Sequence, residues 1–214
     1  MIATGQAPTR AAVLELQNEQ VVVNEAYIFL DEKRLLLASE LLRQLDFYQK
    51  LNKQLQLIHT RANNALQAAV MHHGLNGLQI YPAASLKHAE YSQTSRNFMG
   101  VMLVETILNV DATTESARPA ANPSAKAELC RKLFRDMLIQ NAVLAGVSGN
   151  LYRLLVEYRV TERRSRALEN VILPEISQML HEMTTHLEEI DLEDAIRVRL
   201  QSREVLGSVS STPN

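Results

Sequence analysis

The chain has 214 residues and a formal net charge of −2, and it contains no Trp, four Phe and seven Gly. A charge this close to zero gives no reason to expect nucleic acid or an anionic membrane surface as the main partner. The scarcity of aromatic residues and glycine indicates a helical protein with little material for a large compact core.

The first predicted element is one long helix over residues 9–73, which follows a flexible N-terminal tip at residues 1–8. Pro8 and Thr9 supply a helix start. No Gly or Pro then occurs before Gly74, a residue suited to a helix C-cap. A set of shorter helices in a bundle is the alternative, but it would need breaks that the sequence does not contain.

An apolar seam runs along this helix with a repeat of 3.5 residues, and 13 of its 16 positions are apolar. Such a seam needs a partner helix along its whole length. The 16 positions are Leu16, Gln20, Val23, Tyr27, Leu30, Arg34, Leu37, Leu41, Gln44, Tyr48, Leu51, Leu55, Ile58, Ala62, Ala65 and Ala69.

The middle of the chain, residues 74–125, reads as an insert with a β-hairpin and a linker. Two β-prone runs, Tyr91–Phe98 and Val101–Val110, flank a Met-Gly turn. The second run is apolar on both faces, so the hairpin should pack against the helices or a partner protein. Residues 113–125, rich in Ala, Thr, Ser and Pro, are predicted to form the linker.

Helical spacing resumes over residues 126–206, and residues 207–214 are predicted to be a disordered tail. Pro174 removes a helical hydrogen bond, so a kink is expected near Asn170. Two long helices joined by an insert can satisfy each other only by folding back. The predicted architecture is therefore mainly α, a long antiparallel two-helix coiled coil with a small insert carrying a β-hairpin.

The helix lengths also suggest a register for this pairing. If Thr9 and Leu200 share one end, residue numbers across the pair add to roughly 209. Leu37 should then lie within about two turns of Ile172.

Catalytic and ligand-binding motifs are not predicted. His181 and His186 are five residues apart, whereas the zinc-protease motif places its two histidines four apart on one helical face. Gly146 and Gly149 lack the spacing and Lys of a phosphate loop, and each should weaken a helix by about 1 kcal/mol. Cys130 lies among core positions, excludes an internal disulfide and fits a reducing compartment.

Other features of the sequence concern the charged surface of the protein and indicate a cytoplasmic location. The basic cluster of Arg163, Arg164 and Arg166 has the charge to bind phosphate, but it is interpreted as a solvated or ion-paired face, with Glu40 and Asp46 as candidate acidic partners. No apolar run approaches the roughly 20 residues of a membrane span. The first residues do not resemble a signal peptide.

Two stretches resemble the D subunit of the V-type and archaeal-type rotary ATPases. Pro8-Thr9-Arg10, a helical stretch and Leu30–Leu35 are similar to the family's Pro-Thr-Arg start and its Leu-Leu-Lys-x-Lys-Arg-Asp segment. Residues 163–174 are similar to Arg-Arg-Val-Asn-Ala-Leu-Glu-x-Val-Val-Ile-Pro, and residues 187–200 match the family's following charged helix loosely. Leu35 stands where the family has Asp, and Ile190-Asp191 where it has Arg-Glu, so a divergent, bacterial branch is expected.

The resemblance implies a central rotor shaft that carries torque between the catalytic A/B ring and the membrane rotor ring. It implies the A, B and F subunits and a funnel-shaped subunit, C or d, as partners, in a cytoplasmic complex peripheral to the inner (plasma) membrane. The chain itself would be no enzyme and would bind no cofactor, metal or nucleic acid. The residues expected to contact the ring are Arg10, Glu15, Glu19, Arg197, Arg199 and Arg203.

Two other classes of protein share parts of this pattern. A coiled-coil adaptor or stalk protein of an export-type ATPase is similarly helical, but such proteins are shorter and lack an insert of this size. A homodimeric scaffold would need no hairpin. Sedimentation of the pure protein separates these alternatives. An elongated monomer would favour the rotor shaft, and a stable dimer would favour the scaffold.

Overall fold

The computed structural model describes residues 9–81, 89–110 and 124–209. Its elements are α1 (Arg10–Ile80), β1 (Glu90–Phe98), β2 (Val101–Asn109), α2 (Ala125–Ala167), a π-helical turn (Leu168–Ile172) and α3 (Leu173–Val209). Over these residues the protein is mainly α with a two-stranded antiparallel hairpin, as the sequence predicted. The predicted flexible tip, most of the linker and residues 210–214 of the tail lie outside the described residues.

The chain divides into two compact units. One consists of Met1–Glu32 with Thr161–Asn214, and the other of Lys33–Val160. Within the described ranges, no helix carries an apolar stretch long enough to cross a bilayer.

The predicted seam of α1 is confirmed position by position. All 16 seam residues are buried or half-buried. The polar members follow the same rule, since Gln44 is buried and Gln20 and Arg34 are half-buried. The repeat of 3.5 residues therefore identified the covered face of the helix even where the side chain is not apolar.

Gly74 interrupts α1 at the place where a C-cap was expected. Its φ of 68° and ψ of 167° are not helical, and a short helical stretch follows it up to Ile80. A positive φ is available to glycine without a steric penalty, because glycine has no Cβ. The first helix thus breaks at Gly74, although helical structure continues for another turn and a half.

In the larger unit, α1 and α2 pair antiparallel. Leu37 forms a buried cluster with Leu154, and Lys33 Nζ donates a hydrogen bond to Glu157 Oε1 at 2.6 Å. Farther along, Ala65 and Ala69 pack with Cys130. The partner of Leu37 therefore precedes Ile172, the expected neighbour, by 18 residues. The predicted register was wrong because it assumed that both helices end at the same level.

In the smaller unit, the N-terminal end of α1 contacts α3. Arg10 forms an ion pair with Asp191 at 3.0 Å. Leu16 on α1 and Ile176 on α3 are both buried, as are Thr161 and Ser165 at the end of α2.

The helix is irregular at the position predicted from Pro174. Leu168–Ile172 form a π-helical turn, in which the backbone N–H of Leu173 donates to the carbonyl oxygen of Leu168, five residues earlier. A proline in a regular helix would clash with the carbonyl four residues before it, here that of Asn170. The wider turn provides room for the proline ring.

Candidate partner-binding surfaces

The hairpin is the one β element among the described residues, and its two strands pair over their whole length. The register runs from Glu90 opposite Asn109 to Phe98 opposite Val101. Met99 and Gly100 form the turn with φ values of 50° and 87°, the hand that matches the twist of paired strands. The N–H of Gly100 donates to Asn97 Oδ1 at 3.0 Å, which fixes the turn. The strands predicted from the sequence are confirmed to within one residue at each end.

The turn end of β2 packs onto the helical pair. Val101 and Leu103 join Leu37 and Leu154 in one buried cluster. The expectation that the hairpin leans on the coiled coil is thus confirmed. Two apolar side chains of β2 remain exposed, Met102 at 52% and Ile107 at 51%.

Asn150 on α2 binds the outer edge of β2. Its side chain is 3% exposed. Nδ2 donates to the carbonyl of Val104, and Oδ1 accepts from the N–H of Val104, each at 2.8 Å. The amide thus satisfies both backbone groups that an edge strand leaves unpaired at this position. Arg153 Nη2 donates to the same Oδ1 at 2.8 Å and fixes the orientation of the amide.

One helical turn before Asn150, Gly146 lets β2 approach the helix closely. Thr106 Oγ1 donates to the carbonyl of Ala142 at 2.6 Å. A Cβ built on Gly146 would lie 2.4 Å from that Oγ1 and 3.1 Å from Thr106 Cγ2. The sequence reading of Gly146 as a weakening interruption missed this role. Gly146 and Asn150 lie four residues apart on one face, and this spacing was the signal available in the sequence.

Glu40 connects the hairpin to α1. This buried carboxylate accepts from Arg43 at 2.7 Å, from Gln44 at 3.0 Å and from Arg96 of β1 at 3.0 Å. The hydrogen bond from Arg43 holds the pKa of Glu40 below its ordinary value, against the opposing effect of burial, and Gln44 and the positive charge of Arg96 contribute further.

The two acidic residues suggested as partners of the basic cluster form ion pairs in the larger unit. Glu40 is engaged with Arg43 and Arg96, and Asp46 pairs with Lys50 at 2.7 Å. Arg166 pairs with Glu162 on its own helix at 2.6 Å.

The hydrogen bonds that Glu40 accepts from Arg43, Gln44 and Arg96 predict that the attachment of the hairpin weakens at acidic pH. A carboxylate whose pKa is lowered by folding stabilises the protein fully above its unfolded value of 4.5, and this stabilisation is lost as the pH falls through the lower folded pKa. Glu40→Gln should therefore flatten the decline in the free energy of unfolding between neutral pH and pH values below 4.5. Urea titrations at a series of pH values measure this difference.

The matched control is Asp46→Asn, which removes an exposed carboxylate from the same helix. This variant leaves Glu40 and its hydrogen bonds in place, so the acid sensitivity that Glu40 contributes should remain. Equal slopes for wild type and Glu40→Gln would contradict a role for Glu40 in holding the hairpin.

A cleft of about 380 Å³ opens beside the hairpin in the same unit. It lies between α1, α2 and β2, and Phe47 and Ile107 expose apolar surface at it. Arg43 and Arg96 line the same cleft. Its mixture of apolar and charged groups is typical of a protein-binding surface.

The residues predicted to contact a partner ring are on the two helices of the smaller unit. Arg10 Nη2 donates to Asp191 at 3.0 and 3.1 Å, and Arg197 lies 3.7 Å from Asp194 on its own helix. Asp191 was a departure from the family pattern in the sequence, and the structure gives it a partner. The remaining predicted residues are Glu15 and Arg199, which are exposed, Glu19, which is half-buried, and Arg203, which lies on α3 but whose side chain is outside the described part.

Two observations concern residues that could take part in chemistry. Burial raises the pKa of the Cys130 thiol, which disfavours the reactive thiolate. Over residues 9–81, 89–110 and 124–209, no three His, Cys, Asp or Glu side chains are grouped so that they could hold a metal ion. The described residues form helices and a hairpin with exposed apolar and charged surfaces.

Comparison with known proteins agrees with this picture. The chain is 25% identical over 193 residues to the D subunit of the V-type ATP synthase of Thermotoga neapolitana, covering 90% of this chain and 95% of that protein. It is 27% identical to the D subunit of the A-type ATP synthase of Thermococcus kodakarensis and 28% identical to that of a Desulfurococcus species, each covering 90% of this chain and 91% of the relative. The sequence pattern of the family described as the D subunit of ATP synthase matches residues 12–202, and the chain belongs to this family.

Proposed function

We propose that this protein is the central rotor shaft of a V-type ATPase or ATP synthase. In this role it transmits torque between a catalytic ring of A and B subunits and a membrane rotor ring, without catalysing a reaction itself. The observation that carries the proposal is the family match over residues 12–202. The antiparallel helices with a docked hairpin support it.

Paired helices suit the transmission of torque. A seam covered at every predicted position resists twisting, because rotation of one helix about the other would expose apolar side chains to water. The ring would contact the first turns of α1 and the last turns of α3, where Arg10, Glu15, Glu19, Arg197, Arg199 and Arg203 lie. Exposed ion pairs contribute only about 0 to 1 kcal/mol each, so these contacts can break and form again during rotation.

The hairpin provides a second surface for the rotor partners. Its attachment through Asn150, Thr106 and Glu40 fixes it against the helices, while Met102, Ile107 and the adjacent cleft remain exposed. We assign this surface to the F subunit or to the funnel-shaped subunit, C or d. The complex would lie at the cytoplasmic face of the inner membrane, with this chain peripheral to the bilayer.

The test is co-purification from the native host. A tagged copy of the chain should bring A, B and F subunits with it, whereas recovery of export-apparatus proteins or of the chain alone would overturn the proposal. In the purified complex, truncation before Ile190 should uncouple ATP hydrolysis from ion transport, because one of the two helices then lacks its end.

Single substitutions are the control for that truncation. Arg197→Ala removes one exposed side chain and should change the rate of ATP hydrolysis by less than about fivefold, the factor that corresponds to 1 kcal/mol. Calorimetry of the isolated chain with ATP should show no saturable binding. Micromolar binding would revive an enzymatic function.

A further inference from the structure

The smaller unit has a second apolar pattern on α1, separate from the covered seam. Leu14, Val21 and Ile28 are seven residues apart and are 61%, 57% and 49% exposed. Val22 and Phe29 form a parallel row, also seven apart and exposed. At 100° per residue, both rows lie about 120–160° around the helix axis from Leu16 of the seam. Residues 14–29 thus carry apolar rows that the described helices do not cover.

Two acidic residues lie between these rows. Glu25 and Glu32 are exposed on the outer side of α1, and no ion pair to either is found among the described residues. Between Arg10 and Glu32 the helix has one basic residue and five acidic ones. We call the surface formed by Leu14, Val21, Val22, Glu25, Ile28, Phe29 and Glu32 the outer face.

We propose that the outer face binds an amphipathic helix of a partner subunit, with apolar residues at heptad spacing and Lys or Arg residues opposite Glu25 and Glu32. This inference rests on the proposed function, which supplies the partner complex. A row repeating every seven residues matches a second helix that crosses at about 20°, as in left-handed coiled coils. The carboxylates require cations opposite them, because burying an unpaired charge at an interface is costly.

A second copy of this chain is a poor occupant of the same surface. Symmetric pairing would place Glu25 and Glu32 of one copy near those of the other, and like charges in contact cost several kcal/mol. The charge of the outer face therefore selects a basic partner helix.

Carboxylate labelling tests this assignment directly. The isolated chain and the purified ATPase complex are each treated with a carbodiimide and glycine ethyl ester, and labelling is read by mass spectrometry. Glu25 and Glu32 should be labelled in the isolated chain and at least about tenfold less in the complex, because the partner's cations cover them. Without the ester, the carbodiimide should join them to lysines of a helical segment in a partner subunit. Equal labelling in both samples would overturn the inference.

Charge substitutions provide a graded second test. Glu25→Lys with Glu32→Lys should reduce the partner retained on the tagged chain by more than about tenfold, through like-charge repulsion. Glu25→Gln with Glu32→Gln is the matched control, which removes the charge without reversing it and should have a smaller effect. Circular dichroism confirms that both variants fold. Equal retention by wild type and the Lys variant would contradict the proposed pairing.

The two proposals fail in different ways. If the wild-type chain recovers no ATPase subunits, the proposed function is wrong. If it recovers them while Glu25 and Glu32 stay fully labelled, only the assignment of the outer face is wrong.

Discussion

Asn150→Ala should detach β2 from α2 and destabilise the larger unit by on the order of 2–3 kcal/mol. The side-chain amide bonds both the N–H and the carbonyl of Val104 at 2.8 Å, and alanine leaves both groups without a protein partner. Urea unfolding measures the loss. Hydrogen exchange at the Val104 amide should accelerate in the same variant, which locates the effect at the strand edge.

Two further substitutions make this result specific. Asn150→Asp keeps the acceptor for the N–H of Val104 but turns a second carboxylate oxygen towards its carbonyl, so it should destabilise the protein at neutral pH despite its matched shape. Asn141→Ala changes an exposed Asn on the same helix and reports helix propensity alone. If Asn141→Ala and Asn150→Ala have equal effects, the bonds to Val104 contribute nothing measurable.

Gly146→Ala should displace the hairpin even though alanine favours the helix by about 1 kcal/mol. The new Cβ would lie 2.4 Å from Thr106 Oγ1, and the β-branched Thr106 has little rotational freedom to move away. Overpacking of this kind typically costs about 1–3 kcal/mol. The free energy of unfolding of the variant should therefore be equal to that of the wild type or lower. The recovery of rotor partners by the tagged variant should fall, because the exposed residues of β2 lose their positions.

Gly149→Ala is the matched control, since a Cβ there meets only Arg153 at an ordinary distance of 3.5 Å. It should stabilise the protein by about 1 kcal/mol and leave partner recovery unchanged. Thr106→Ala added to Gly146→Ala removes the clashing Oγ1 and should recover part of the lost stability. A double-mutant cycle showing additive effects would contradict the close packing of Thr106 on Gly146.

Local and periodic features of this fold could be predicted from the sequence. The heptad repeat identified the covered face of α1, including Gln44, because burial along a paired helix follows the backbone period regardless of side-chain type. The Met-Gly turn between two β-prone runs predicted the hairpin. Pro174 marked the helix irregularity, because its ring acts on a backbone carbonyl at a fixed distance along the chain.

Contacts between distant segments could not be predicted from the sequence in the same way. The pairing of Leu37 with Leu154 depends on where each helix begins relative to the other, and an apolar seam that repeats every seven residues allows several such registers. Asn150 and Glu40 resemble ordinary surface residues in the sequence. Their roles depend on the backbone of β2 and on Arg96 of β1, which only the folded chain brings to them.

The assignment of the ring-contact residues remains a prediction from the family resemblance. The structure supplies ion pairs for Arg10 and Arg197 on their own unit, but a contact with another subunit depends on surfaces that belong to that subunit. The outer face differs in this respect, since its exposed apolar rows, and its two carboxylates that pair with no described residue, are properties of this chain alone.

The π-helical turn before Pro174 determines how this helix tolerates changes in length. The heptad spacing that places Thr161 and Ser165 on the covered face would continue through Leu168 and Ile172 to Glu175. Glu175 is exposed, however, and Ile176 is buried instead. The turn therefore acts as a one-residue insertion that brings an isoleucine to the covered face in place of a carboxylate. A deletion within Leu168–Ile172 could be absorbed by closing the turn to a regular helix once the proline is also replaced. The same deletion in α3 would rotate every later side chain by about 100° and turn the following apolar positions towards solvent.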